Sequence, residues 1–180
     1  LPFVAHESAF VRAGALRALR ELKRPESLKP ALDALGDPEA SVRSEAVSVV
    51  GYLKTEDALP ALMAMLKDVD AGVRRTAAGA LGFSVTAAAA DTLAQALSDT
   101  DWQVRQKAIR SLGKLGAAEA IDDIAPSLDH DISNLRKEAA AAMGEIASPK
   151  AVPALEAHLD DPDPDVRKNI RWALGQIRAE

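Results

Sequence analysis

The sequence predicts an all-α fold, a right-handed α-solenoid in which antiparallel helix pairs of 31 residues stack on one another. A Val-Arg dipeptide recurs at a constant spacing of 31 residues, at Val11, Val42, Val73, Val104 and Val166, with Leu135 replacing Val once. Each copy starts an apolar stripe with helical spacing, and no stretch alternates with a period of two. A fixed period of roughly 20–50 residues is typical of solenoids, whose repeats bury their apolar faces against each other.

The first stripe of each repeat defines a helix that we call helix A. Ala stands four residues after the Val in five repeats and Ile170 in the last, and an apolar residue stands eight after it. These offsets lie on one face of an α-helix. A Gly stands nine residues after the Val, at Gly51, Gly82, Gly113, Gly144 and Gly175. Because a Gly inside a helix costs about 1 kcal/mol relative to Ala, its recurrence predicts a close approach of the next helix.

A second apolar stripe in each repeat defines helix B. Its members include Leu59, Leu62 and Leu66, then Ile121, Ile124 and Leu128, then Val152, Leu155 and Leu159. Pro126 lies in the body of the fourth helix B, where it predicts a bend or an early stop. The dipeptides Asp37-Pro38 and Asp161-Pro162 predict helix N-caps.

The uninterrupted period predicts one repeat domain over residues 1–180. We expect a partial helix at 1–5, two-helix units at about 6–36, 37–67, 68–98, 99–129 and 130–160, and a terminal single helix at 161–180. In that last helix, Ile170 and Arg171 replace smaller or apolar residues, which favours a C-terminal cap with a more polar outer face.

Composition excludes several classes of function. The 180 residues carry a net charge of −5, whereas nucleic-acid binding normally needs a basic stripe. There is no Cys, which removes thiolate metal sites and Cys nucleophiles. No apolar run approaches the roughly 18 residues of a membrane span. We therefore expect a soluble, cytoplasmic protein that binds neither nucleic acid nor membranes and holds no cofactor or metal.

The recurring pattern D-P-x-x-x-V-R-x-x-A-x-x-A-L-G resembles the HEAT family, specifically its short class named after phycobilisome lyases. The resemblance implies an interaction scaffold, and the class also includes bilin lyase subunits and deoxyhypusine hydroxylase. The di-iron ligands of that hydroxylase, as the resemblance implies, are His-Glu pairs directly after the Val-Arg dipeptide. Here those positions hold pairs such as Ser44-Glu45 and Lys137-Glu138 and never His-Glu, so a di-iron site of that type is excluded.

We predict a scaffold or adaptor for protein–protein interaction with no catalytic activity of its own. The resemblance implies that helix B lines the concave side, and the residues there are mainly acidic. The candidate binding residues are Asp57, Asp91, Gln95, Glu119, Asp122 and Asp123, with Trp102 at the start of a helix A as a candidate anchor. They favour a basic protein or peptide as partner; a merely solvated face is the alternative. The alternative function is a bilin lyase-type subunit that handles a tetrapyrrole chromophore and its carrier protein.

A second set of charged residues has a structural interpretation. The resemblance implies that Arg and Asp stack into a ladder between repeats, here Arg12, Arg43, Arg74, Arg105, Arg136 and Arg167 with Asp37, Asp68, Asp99 and Asp161. His130 stands where the fourth and fifth repeats would share an Asp. It is either a drifted position or a weak joint that responds to pH, since His titrates near about 6.5.

Overall fold

The computed structural model describes residues 2–84 and 86–179, and every regular element in those ranges is a helix. In chain order the α-helices are α1 (Ala9–Leu22), α2 (Leu28–Asp33), α3 (Ala40–Leu53), α4 (Leu59–Ala64), α5 (Ala71–Leu81), α6 (Ala87–Gln95), α7 (Trp102–Leu115), α8 (Ile121–Ile124), α9 (Ser133–Ile146), α10 (Val152–Ala157) and α11 (Pro164–Ala179). Short 3₁₀ helices lie between them at Pro2–Ala5, Pro25–Ser27, Ala34–Gly36, Glu56–Ala58, Met65–Lys67, Ala96–Ser98, Ala118–Ala120, Ala125–Asp129 and Pro149–Ala151. The predicted alternation of helix A and helix B is confirmed.

The predicted stripe of helix A forms the core of the odd-numbered helices. Its buried members include Val42, Val73, Val104, Leu135 and Val166, the alanines Ala46, Ala77, Ala108 and Ala139, and Ile170. Leu81, Leu112 and Met143, eight residues after the Val, are fully buried as well. Full burial of such a Val or Leu side chain contributes about 1.5–3 kcal/mol, so this stripe contributes strongly to the stability of each unit.

The chain divides into two compact units, Leu1–Ser84 and Val85–Glu180. In the first unit, α1 packs on α3 and α3 packs on α5. In the second unit, α7 packs on α9 and α9 packs on α11. In both units, each short α-helix packs against the long helix that follows it. The assignment of one domain to residues 1–180, with the repeat boundaries given above, stays a prediction.

Three of the recurring glycines lie where neighbouring long helices approach each other closely. A Cβ on Gly51 would lie 2.5 Å from the Cβ of Ala80, and one on Gly113 would lie 2.9 Å from the Cα of Ala142. At Gly144 a Cβ would lie 2.8 Å from the Cα of Ala173. Real Cβ atoms do not approach other atoms so closely, so these three positions require Gly. The predicted close approach is confirmed there.

Helix B is less regular than its sequence stripe predicts. Four of the short α-helices in the described ranges, α2, α4, α6 and α8, continue directly into a 3₁₀ helix. Pro126 lies in the 3₁₀ helix Ala125–Asp129, and α8 before it has a single turn. The other three helices also end in a 3₁₀ turn, although they have no Pro there. Pro126 therefore makes the change from α to 3₁₀ geometry occur earlier in the repeat but does not cause it.

The predicted helix caps at Asp37 and Asp161 are wrong. Helix α3 begins at Ala40 with Glu39 as its N-cap residue, so Asp37 lies outside the helix. Its carboxylate accepts the backbone N–H of Glu39 at 2.9 Å, and Asp161 accepts that of Asp163 at 2.8 Å. Both residues close a tight turn two residues long before the helix starts. This turn leaves one carboxylate edge available to another group.

Candidate partner-binding surfaces

The Arg and Asp residues of the predicted ladder form two-pronged ion pairs within each unit. The Nε atom of Arg43 donates to Asp68 Oδ2 at 2.7 Å and its Nη2 atom donates to Oδ1 at 2.8 Å. Arg12 holds Asp37 in the same way, and Arg136 holds Asp161. Such two-pronged pairs are among the stronger and most directional polar contacts in proteins.

Each ladder Arg also holds its own repeat. The Nη1 atom of Arg43 donates to the backbone carbonyls of Asp37 and Pro38, at 2.9 and 3.0 Å. Equivalent bonds run from Arg74 to Asp68, from Arg105 to Asp99 and from Arg167 to Asp161. The hydrogen bonds from arginine lower the pKa of Asp37, Asp68 and Asp161, against an opposing effect of burial. These hydrogen bonds therefore join each repeat to its neighbour within a unit.

His130 takes the place of an Asp in this ladder. Its Nδ1 atom accepts the backbone N–H of Ile132 at 3.0 Å, as the Asp37 carboxylate accepts that of Glu39. Its Nε2 atom lies 3.0 Å from Nη2 of Arg105. In a neutral imidazole that accepts at Nδ1, Nε2 carries the hydrogen and cannot accept from Arg105. The ladder is therefore weaker at this joint than at Asp37 or Asp68.

A second histidine at the same joint was not singled out by sequence. The ring of His158 lies with Nδ1 2.7 Å from the carbonyl of Ala154 and Nε2 3.0 Å from Asp129 Oδ1. Partial burial lowers the pKa of His158, but the hydrogen bonds to Ala154 and Asp129 outweigh it, and the net shift is upward. The protonated ring satisfies both acceptors. Asp129 lies 29 residues before His158, and only the stacking of helices B reveals that they meet.

The predicted acidic residues of the second unit are all exposed. Asp91 and Gln95 lie one turn apart on α6, and Asp122 and Asp123 lie on α8. Helix α6 contacts the 3₁₀ helix Ala118–Ala120, which carries Glu119. We call these five residues the acidic surface. Asp57 is exposed in the first unit, on the 3₁₀ helix Glu56–Ala58.

Little positive charge offsets the acidic surface. Lys150 lies 3.3 Å from Glu119 in an exposed ion pair. Within residues 2–84 and 86–179, Asp91, Asp122 and Asp123 form no ion pair with Lys, Arg or His. In the same part of the chain, no three His, Asp or Glu side chains converge to hold a metal ion. The negative charge of this surface therefore faces solvent.

The two tryptophans differ in exposure. Trp102, the predicted anchor, is half-buried at the first position of α7. Trp172 is 44% exposed, and its ring lies against Gly144. Trp172 therefore packs over Gly144 with part of its surface and exposes the rest to solvent.

A groove between α3 and α5 in the first unit was missed from sequence. It has a volume of about 350 Å³ and is lined by Ser48, Gly51, Tyr52, Lys54, Thr76, Gly79, Ala80 and Phe83. Tyr52 and Phe83 are 44% and 53% exposed. They are one repeat apart, so a pair of aromatic rings at one repeat position was the available signal.

Comparison with known families gives a match over nearly the whole chain. The HEAT-repeat family model matches residues 1–82, 28–101, 63–142 and 90–175. A search of curated proteins found no match. None of the helices in the described ranges combines the length and apolar composition that crossing a bilayer requires.

Solved structures of repeat proteins share the fold, and the predicted α-solenoid is confirmed. The complex of CpcE and CpcF of phycocyanin lyase from Nostoc sp. PCC7120 is 25% identical, with a TM-score of 0.73 over 98% of this chain and 74% of that chain. A designed armadillo repeat protein in complex with the peptide (KR)4 is 22% identical, with a TM-score of 0.74 over 98% and 97%. Human deoxyhypusine hydroxylase in complex with glycerol is 22% identical, with a TM-score of 0.54 over 98% and 82%.

Proposed function

We propose that this chain, which belongs to the HEAT-repeat family, is a non-catalytic scaffold. Its acidic surface binds a basic protein or peptide. The observation that carries the proposal is the set of carboxylates Asp91, Asp122 and Asp123, exposed and without ion-pair partners among the described residues. A face that served only solubility would normally mix charges of both signs. One-signed charge instead attracts and orients a ligand of opposite charge.

Geometry supports an extended basic segment as the ligand. The acidic surface comes from consecutive helices B, whose packed axes are typically about 8–10 Å apart. An extended chain rises about 3.3 Å per residue, so side chains two or three residues apart reach neighbouring helices. Gln95, one turn from Asp91, offers a donor and an acceptor for the backbone of such a segment. Asp57, in the first unit, is proposed separately as a contact for a basic protein or peptide.

The test is binding of a fluorescein-labelled peptide of eight alternating Lys and Arg residues, followed by anisotropy. The double variant Asp91→Lys with Asp122→Lys should weaken binding at least tenfold, and the affinity of the native chain should fall steeply with salt. The control variant Glu7→Lys with Glu39→Lys makes the same change in net charge at two exposed residues of the first unit. Equal loss in both variants would show unspecific attraction by net charge and would refute the acidic surface as the site.

A second candidate function rests on the likeness to the phycocyanin lyase complex. In this alternative the chain is a lyase-type subunit that handles a bilin together with its carrier protein. With no Cys in the sequence, the bilin would be held without a thioether bond to this chain. Incubation with a free bilin distinguishes the two functions: a shifted visible absorption band supports the lyase-type subunit, and an unchanged spectrum supports the scaffold.

A further inference from the structure

The groove between α3 and α5 exists because two bulky charged side chains are missing. Arg17 on α1 donates to Glu45 on α3, 28 residues later, and Arg110 on α7 donates to Glu138 on α9 at the same separation. These pairs lie across neighbouring helices A. The corresponding residues on α3 and α5 are Ser48 and Thr76. Two small residues there leave open the space that an Arg–Glu pair fills elsewhere.

The floor of the groove is apolar. The Ser48 hydroxyl donates to the carbonyl of Ser44 at 3.0 Å, and the Thr76 hydroxyl donates to the carbonyl of Gly72 at 2.8 Å. Both hydroxyl hydrogens are therefore used within their own helices. Gly51, Gly79 and Ala80 supply the rest of the floor. A ligand there would meet mainly carbon atoms and the faces of Tyr52 and Phe83.

One lysine, Lys54, lines the groove, and a second, Lys23, lies over one of its rings. The Lys54 ammonium lies 5.1 Å from the centre of the Phe83 ring, and the Lys23 ammonium lies 5.3 Å from that of Tyr52. The two lysines are one repeat apart, as are the two rings. Neither ammonium has a carboxylate within 4 Å among residues 2–84 and 86–179, whereas Arg12, Arg17 and Arg43 in the same unit all do.

Lys54 is held in place by an unusual backbone conformation. It ends α3 in the left-handed region, with φ of 52°, where glycine is the common residue. Lys23 ends α1 in the same way, with φ of 54°. At the corresponding end of α7 the residue is Gly116, with φ of 62°. Each of the two rings thus lies beside a lysine of the preceding repeat, at a position that a glycine would occupy more readily.

We propose that this groove binds a peptide segment in which a large apolar side chain is flanked by carboxylates. The apolar side chain lies on the floor between Tyr52 and Phe83, and a carboxylate pairs with the Lys54 ammonium at the rim. The volume of about 350 Å³ falls at the lower end of the range of about 300–1,000 Å³ for ligand pockets, which suits a single side chain. This partner is opposite in charge to the one proposed for the acidic surface, and the two proposals are independent.

The test uses three fluorescein-labelled peptides and the purified chain of residues 1–180. The probe is Gly-Glu-Phe-Asp-Leu-Glu-Gly; one control peptide replaces its acids by Gln and Asn, and the other replaces Phe and Leu by Ala. Saturable binding of the probe, at least fivefold tighter than that of either control, is the expected result. Absence of binding overturns the proposal, and so does equal binding of the uncharged peptide, which would indicate a purely apolar ligand.

Variants locate the site. Ser48→Arg with Thr76→Glu rebuilds the pair seen at Arg17 and Glu45, and should reduce probe affinity at least tenfold. Phe83→Lys, which installs the residue found one repeat later at Lys114, and Lys54→Gln should each reduce it three- to tenfold. Lys67→Gln, an exposed lysine of the same unit outside the groove, is the control and should bind normally.

Circular dichroism and thermal melting show whether Ser48→Arg with Thr76→Glu folds. If it does not, the variants Phe83→Lys and Lys54→Gln, which change exposed residues, test the site instead. Unchanged probe affinity in these two variants refutes the site. Sedimentation of the native chain tests whether a second copy of the chain occupies the groove instead. Self-association that disappears in Ser48→Arg with Thr76→Glu would show that it does and would overturn the peptide proposal.

Discussion

His130 and His158 lie close to the same joint of the second unit but have opposite hydrogen-bonding surroundings. Both ring nitrogens of His130 face N–H donors, from Ile132 and Arg105. Both ring nitrogens of His158 face oxygen acceptors, on Ala154 and Asp129. Sequence alone leaves His130 as either a drifted position or a pH-responsive joint. The geometry points to His158 as a pH-responsive residue, because a protonated imidazole donates to both of its oxygen acceptors.

Stability should depend on the protonation of His158. Because its pKa is raised in the folded chain, its contribution is fully present below the unfolded pKa of about 6.5 and is lost as pH rises through the folded pKa. Asp129 is 78% exposed, so the effect is limited to a few tenths of a kcal/mol by solvent screening. Urea unfolding above and below that window should show a decline with pH that His158→Gln removes. The variant His6→Gln should keep the decline; its loss there would contradict the assignment.

Replacing His130 by the Asp of the other repeats should strengthen the ladder. An Asp would still accept the N–H of Ile132 and would also accept both prongs of Arg105, as Asp68 does from Arg43. We expect His130→Asp to raise the free energy of unfolding by about 0.5–1.5 kcal/mol at neutral pH. His6→Asp is the matched control, because the His6 ring accepts the N–H of Ser8 in the same turn but has no ladder Arg as a hydrogen-bond partner among the described residues; Arg12 donates to His6 only at its backbone carbonyl. Equal gains in both variants would show that the added stability does not come from an ion pair between Arg105 and the new Asp.

At the scale of helices, a single glycine position controls how closely two long helices approach. Gly144→Ala would place a methyl group against the Trp172 ring and 2.8 Å from the Cα of Ala173. We expect a loss of about 1–3 kcal/mol from overpacking, partly offset by the better helix propensity of Ala. Gly175 holds the same repeat position with no atom within 4 Å, so Gly175→Ala should be neutral or stabilising by up to about 1 kcal/mol. Thermal or urea unfolding of both variants tests this; a stable Gly144→Ala would show that α9 and α11 can separate freely.

How much could be predicted from sequence differs between elements. Helix A was predictable because Val, Ala and Leu recur on one face with the 31-residue period. The close approach at Gly144 was predictable because a glycine that recurs inside a helix, despite its cost in stability, indicates close packing of a neighbouring helix. The 3₁₀ ends of helix B were not, since residues such as Ala34 and Met65 carry no local signal that separates 3₁₀ from α geometry.

The candidate sites were predictable only where one residue suffices. Exposure of Asp91 and Asp122 followed from their positions off the apolar stripe. The contact of His158 with Asp129, and the groove beside Ser48, depend on pairs of residues 28 or 29 apart, which meet only when repeats stack. The groove also arises because two small residues replace an Arg–Glu pair, and small residues at such positions give no chemical signal in the sequence.

At the scale of the whole chain, a repeat protein is stabilised by each repeat and its neighbours rather than by one common core. Leu155 on α10 is fully buried, and Leu155→Ala should cost about 2–5 kcal/mol. We expect hydrogen exchange to show lost protection mainly in α9–α11, with α1 and α3 close to native. Leu62→Ala, the same repeat position in the first unit, should show the reverse. Uniform loss along the chain in both variants would instead show that residues 1–180 unfold as one cooperative domain.

The Arg–Asp ladder also depends on the number of residues in each repeat. Arg43 bonds a carbonyl six residues before it and a carboxylate 25 residues after it, so its guanidinium spans one complete repeat. One residue inserted within a helix between them would rotate the residues that follow in that helix by about 100° and carry Asp68 away from both prongs. The same 31-residue spacing of Arg and Asp therefore favours changes in chain length by whole repeats, because a whole repeat keeps each Arg in register with its Asp.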